Sequence, residues 1–303
     1  VNYAVSGTAS NGVDYVALPG SVVIPNGATN AEIVVTPLED GAGNESAETV
    51  TVTLRPGGYA IGSPSNATAT IADAALWHYV SPSGGHVSPY TNWTTAATNI
   101  SAAVAVATHG ATVLVTNGWY GVTSQVAVAK GLTVRSVNGA TNTTVARLGT
   151  GNTRIFYLNH TDAVLDGFTI TNGYAGAGLY RGGGVHVATG RVQNCIIRNN
   201  SAGWDGGGAC VEAGGLMMNC TVTDNSCVYD GGGVIIVGTG MVQNCAIRSN
   251  RADRKGGGLA SRQGGVARNC LIVLNTAWQG GGVFCAPAGA TGVLVQSCTV
   301  VGN

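Results

Sequence analysis

Apolar residues recur along the C-terminal part of the chain with two nested periods. Over short stretches they alternate with other residues, as in Val185 and Val187, Val234 and Ile236, or Val283 and Cys285, and the whole pattern returns after about 25 residues. The short period is that of a strand with one face turned inward. The long one is that of a solenoid. Glycine triplets begin at Gly182, Gly206, Gly231, Gly256 and Gly280, at intervals of 24, 25, 25 and 24 residues. Between them stand NCIIRNN, NCTVTDN, NCAIRSN, NCLIVLN and SCTVVGN. Two or three short strands per unit make one coil of a right-handed parallel β-helix, each coil rising by about 4.8 Å, so that equivalent residues stack in columns.

Each column then has a predicted task. The triplet is a corner, where the backbone takes positive φ or passes too close to the next coil for a Cβ. Cys195, Cys220, Cys245, Cys270 and Cys298 point into the bore with Ile197, Val222, Ile247, Ile272 and Val300 two residues on. Stacked in register, their Cβ vectors run parallel, whereas a disulfide needs them turned toward each other at about 3.8 Å. They are read as free, buried thiols. Asn200, Asn225, Asn250, Asn275 and Asn303 close the strands, and amides there can bond to the coils on either side.

Upstream, WTTAATNISAAVAVATHG places Ile100, Ala103, Val104 and Ala107 at helical spacing before Gly110, which predicts one short amphipathic helix. From Val1 to Asp73 the pattern is Thr/Val strands punctuated by Gly, Pro and Asn: Val22 to Ile24, Glu32 to Thr36, Thr49 to Leu54 and Ala67 to Ile71. That spacing describes a small antiparallel sandwich. The expected organisation is a sandwich over 1–73, a junction and capping helix over 74–110, and the solenoid over 111–303, regular from about residue 182.

Several of these segments carry resemblances. GTASNGVDY, SVVIPNGATNAEIVVTPLED, ESAETVTVTL and ATATIAD resemble the Calx-β domain, without that family's first strand. The resemblance implies that Val1 lies within a longer protein, and it implies candidate calcium ligands at Asp14, Glu39, Asp40, Glu45, Glu48 and Asp73, because calcium takes six to eight oxygens. The helix followed by ATVLVTNGWYGV resembles the N-terminal cap of pectate-lyase-like β-helices. The glycine corners with Ile/Val-x-x-Asn closings resemble polymorphic outer-membrane adhesin repeats, with Ile or Val where that family uses Phe.

Composition narrows the function. The chain has 303 residues, 45% hydrophobic and only 9% charged, with 14 basic and 14 acidic side chains, so it offers no basic field for nucleic acid. No apolar run approaches the roughly 20 residues of a membrane span, and VNYAVSGTAS is not a secretory signal. The 48 glycines sit among Val, Ile and Thr, as in β-rich architecture. An extracellular or cell-surface location, with the export signal outside this segment, is the expectation.

Two columns before the corners exceed what packing asks for. Tyr180, Trp204, Tyr229, Arg254 and Trp278 form an aromatic stripe with one guanidinium, and Arg181, Asp205, Asp230, Lys255 and Gln279 stand beside it. Exposed rings repeating along an edge could stack on sugars of a polysaccharide or cell-surface glycan. Alternatively the rings stiffen the corner and the charges form an ion ladder. A third reading is a polysaccharide lyase or glycoside hydrolase, with Asp205 and Asp230 as an acid pair and Arg254 or Lys255 as base or charge neutraliser. Against it, the Asn-Thr-Asp and Gly-His-Gly segments of such hydrolases are absent, and His78, His86, His109, His160 and His186 share no column. The leading expectation is a structural or adhesive rod without a required cofactor, calcium excepted. Asn303 closes a strand in mid-repeat, which also suggests end-to-end self-association or a longer chain.

Overall fold

The computed structural model describes residues 1–38, 47–71, 76–286 and 293–303. They form two compact units, Val1–Leu76 and Trp77–Asn303. In the first, strands Tyr3–Gly7, Glu48–Leu54 and Asn66–Ile71 make an antiparallel sheet with Glu48–Leu54 in the middle. Tyr15, Val50, Ile71 and Ala9 form its small core. The expected strands at Thr49 to Leu54 and Ala67 to Ile71 are there, joined by Tyr3–Gly7, which the pattern did not single out. Val22 to Ile24 and Glu32 to Thr36 are not strands. Their alternation is not matched by burial, since Val23 is 80% and Val34 65% exposed, and single bridges such as Tyr15 to Pro37 take the place of a ladder.

The second unit is the solenoid. A parallel path of strands runs from Trp77–Val80 to Val283–Cys285, an eight-stranded sheet runs from Gly118–Val122 to Thr299–Val301, and four two-residue strands from Tyr174–Ala175 to Arg251–Ala252 form a third sheet. The ladder begins earlier than expected, because Trp77–Val80 already pairs with Thr112–Val115. Helix Ile100–Val106 lies where the spacing predicted it, with Asn99 Oδ1 accepting from the Ala102 amide at 2.9 Å and Ile100, Ala103 and Val104 buried. That bond satisfies one of the helix's orphan donors.

Register follows the sequence columns. Val185, Ala209, Val234, Leu259 and Val283 are Cα partners on successive coils, as are Ile197, Val222, Ile247, Ile272 and Val300. Cys195, Cys220, Cys245 and Cys270 are at most 2% exposed, and all eight cysteines of the chain are free thiols. Cys285, expected in the bore, is exposed. The Asn column forms a continuous ladder: each Oδ1 from Asn225 to Asn303 accepts from the backbone amide and the Nδ2 of the asparagine before it, at 2.9 to 3.0 Å.

Within a triplet the glycines meet different constraints. Gly231 has φ +73, the left-handed region, whereas a Cβ on Gly232 would collide with the backbone of Arg251 and lie 2.5 Å from the Gly257 carbonyl oxygen. Backbone cannot step aside as a flexible side chain can, so Gly232→Ala should destabilise the solenoid by about 2–3 kcal/mol. Gly58→Ala, where no atom lies within 4 Å, should be close to neutral. Urea unfolding of both variants followed by circular dichroism checks the contrast.

Candidate functional site

The chain turns sharply before each triplet, so the two residues ahead of it stack along one edge of the solenoid. Tyr180 and Trp204 meet edge to face at 5.3 Å between centroids, and Trp204 stacks on Tyr229 at 5.2 Å. The Arg254 guanidinium lies 4.7 Å from the Tyr229 ring centre, continuing the column as a cation on a π face. Tyr180, Trp204 and Trp278 remain 46%, 47% and 79% exposed. From Tyr180 to Arg254 the stripe read from the sequence is thus a contiguous surface feature, and part of its ring area is used in stacking on itself.

In the neighbouring column the two carboxylates turn the other way, into the protein. Arg181 bridges to Asp205, Asp230 to Lys255, and Lys255 to Gln279 along the backbone. Asp205 is fully buried and Asp230 nearly so. Arg262, a residue the sequence columns did not flag, reaches across three coils. Its Nη1 donates to Asp205 Oδ2 at 2.9 Å, and its Nη2 to Asp205 Oδ1 at 3.2 Å and to Asp230 Oδ2 at 2.5 Å. Arg181 Nε adds a bond to Asp205 Oδ2 at 3.3 Å, and the Asp230 amide one to Oδ1 at 3.2 Å.

Burial pushes the Asp205 carboxyl above its usual range; Arg262 opposes the shift, and Asp230 adds a smaller push upward. For Arg262, burial alone would lower the guanidinium, and its two carboxylates more than reverse that. The acid pair considered from the sequence is therefore one buried ionic knot with Arg262 at its centre. The two basic candidates face elsewhere: Arg254 sits on Tyr229, and Lys255 Nζ lies 4.6 Å from the Phe284 ring centre.

A second constellation lies on the outward face of the long sheet. His186 and Cys210 are Cα partners on adjacent strands, and Glu212 follows Cys210 by two residues on the same face. Their ligand-type atoms lie within 4.8 Å of one another. Burial, reinforced by Arg154, pushes His186 down to about 4, with Glu212 opposing. The signal was present in the sequence, since GGGVH and GGGAC place His and Cys at the same outward position, but a search for one column of histidines passes over a mixed set.

Of the candidate calcium ligands, Glu39, Asp40, Glu45 and Asp73 lie outside the described residues. Asp14 Oδ2 accepts from the Ser10 amide at 2.5 Å, which makes it part of a local turn. Glu48 opens the central strand of the first unit and is half-buried at its register partner Ile71. No helix among the described residues is long and apolar enough to cross a membrane.

A family model described as the right handed beta helix region matches residues 131–303. Among solved structures, the pectin methylesterase from Aspergillus niger, in penultimately deglycosylated form, aligns with 76% of this chain and 87% of its own, at 12% identity and a TM-score of 0.39. No curated protein matches the sequence.

Proposed function

Because this chain belongs to the right-handed β-helix region family, we propose that its solenoid is an extracellular or cell-surface rod of structural or adhesive type that binds a glycan along the edge from Tyr180 to Trp278. The first unit is read as a Calx-β-like spacer, and association end to end as the way such rods lengthen. The observation that carries the glycan reading is the stacked row itself: Tyr180 and Trp204 stay 46% and 47% exposed although each packs against the next ring. A contiguous row of rings open to water is the kind of surface that marks a binding face, and the C–H face of a sugar ring covers it while its hydroxyls stay hydrated. Arg254 and Gln279 beside it supply donors for those hydroxyls.

The same geometry favours binding over a lyase or hydrolase. Asp205 has no exposed surface, and both carboxyls are already bonded to Arg262, so neither reaches a sugar as arranged.

Trp278→Ala and Trp204→Ala, each shown by circular dichroism to be folded, are expected to weaken binding to a responsive polysaccharide by about tenfold, or about 1.4 kcal/mol. A glycan array followed by isothermal titration measures it. Affinity unchanged in both variants, or no glycan bound by the parent protein, overturns the reading.

A further inference from the structure

We propose that His186, Cys210 and Glu212 form a three-ligand site for a zinc-class divalent cation on the outward face of the solenoid. The three side chains come from strands Val185–Gln193 and Ala209–Val211 and the residue just after the latter, and parallel register puts His186 beside Cys210. His186 Nε2 lies 3.1 Å from Glu212 Oε1, and Cys210 Sγ lies 4.0 Å from the same oxygen. Tetrahedral coordination at ordinary zinc distances separates a nitrogen and an oxygen ligand by about 3.4 Å, and a sulfur and an oxygen by about 3.6 Å. For these two pairs the adjustment is a few tenths of an ångström; the His186 nitrogen and the Cys210 sulfur lie within 4.8 Å, and Glu212, with its side chain 33% exposed, has room to move.

An independent observation points the same way. His186 Nε2 is buried and makes no hydrogen bond; the Glu212 oxygen is near but forms none with it. A buried nitrogen without a partner is uncommon in native proteins, because nothing offsets its lost hydration, and a bound cation is one group that would complete it. The ring is held by its edge contact with Tyr157, 5.3 Å between centroids. Cys210 is fully buried, and a bound divalent cation would hold it as the thiolate.

One sulfur, one imidazole and one carboxylate are a borderline-soft set that suits zinc or cobalt better than calcium or magnesium. Thiolate and carboxylate together balance a dication. Two guanidiniums stand close by. Arg181 is 3.8 Å from Glu212 and is already paired with Asp205, while Arg154 donates to the carbonyls of Leu179, Arg181 and Gly182 and to Gln125. They set the affinity below that of a four-ligand structural site.

The test is a cobalt(II) titration of the reduced, metal-free protein, reading the near-ultraviolet thiolate-to-cobalt charge-transfer band, with zinc competition. One cobalt per chain is expected. The band should vanish in Cys210→Ser, weaken by at least about tenfold in Glu212→Gln and His186→Gln, and persist in Cys285→Ser, which removes the exposed thiol. Glu212→Gln keeps the test independent of folding, because that side chain is half-exposed. Absence of a band in the parent protein, or a band that survives Cys210→Ser or is lost in Cys285→Ser, overturns the site.

Discussion

Asn250→Ala is expected to destabilise the solenoid by about 4 kcal/mol, more than the loss of an average core methyl group. Asn250 is 1% exposed. Its Nδ2 donates to the Val222 carbonyl and to Asn275 Oδ1, and its Oδ1 accepts from both the backbone amide and the Nδ2 of Asn225, all at 3.0 Å. Alanine removes these bonds at once and leaves the buried backbone amide of Asn225 with nothing to bond, while Asn225 Nδ2 keeps the Ile197 and Thr223 carbonyls. Such an orphan costs about 1–3 kcal/mol, and the other buried bonds lost with it add to that, against about 1 kcal/mol for a hydrogen bond lost at a wet site. Asn250→Asp should fare little better, since a carboxylate cannot donate to Val222. The outer ladder is the control: Asn244 Nδ2 reaches Asn219 Oδ1 at 3.3 Å in an exposed setting, and its φ of +54 adds a modest left-handed cost for alanine. Asn244→Ala should lose about 1 kcal/mol. Urea unfolding of the three variants, followed by circular dichroism, measures the difference; equal losses at 244 and 250 would contradict the account.

Arg262→Ala is expected to cost about 3 kcal/mol at neutral pH. The variant strands a fully buried Asp205 with Arg181 as its remaining ionic partner and takes the guanidinium away from Asp230. Removing one member of a buried charge cluster is worth about 3–5 kcal/mol, and the partial exposure of Arg262 places this case at the lower end. The loss should depend on pH in a defined direction. Burial already raises the Asp205 pKa above its unfolded value, and losing Arg262 raises it further. The penalty for the ionised carboxyl is therefore complete above the folded pKa and fades as pH falls through it toward the unfolded value of about 3.9. In an Asp205→Asn, Asp230→Asn background the same substitution should cost well under half as much. A double-mutant cycle at pH 7, with the single variant repeated at pH 5, reads both effects.

What the sequence made legible depended on whether a residue acts within its column. Glycine corners, the cysteine and aliphatic bore and the asparagine closings recur at one position per coil, and the observed register follows them. The aromatic stripe was visible for the same reason. Arg262 was not, because a long side chain that ties Asp205 to Asp230 works across columns and across coils, and no periodicity announces it. The burial of Asp205 was hidden likewise: a carboxylate at a corner reads as solvated until the arginine lying over it is placed. His186, Cys210 and Glu212 differ in type at neighbouring positions, so only the strand pairing brings them together. In the first unit, Val22 to Ile24 and Glu32 to Thr36 alternate as strands do yet find no ladder, since alternation reports a preference for pleated backbone and does not supply the partner.

The asparagine ladder has a consequence for how such a chain finds its own arrangement. Every rung from Asn225 to Asn275 presents the same donors and acceptors upward and downward, so a coil that skipped its neighbour and docked on the following one would satisfy those bonds equally well. The ladder rewards stacking and is blind to order. Discrimination between the correct neighbour and an impostor falls to the unlike residues: Arg262 closes on two carboxylates only when its coil lies the right distance from theirs, and Arg254 finds a ring only if Tyr229 is next below. In this solenoid the irregular side chains act as the proofreaders of a repetitive text.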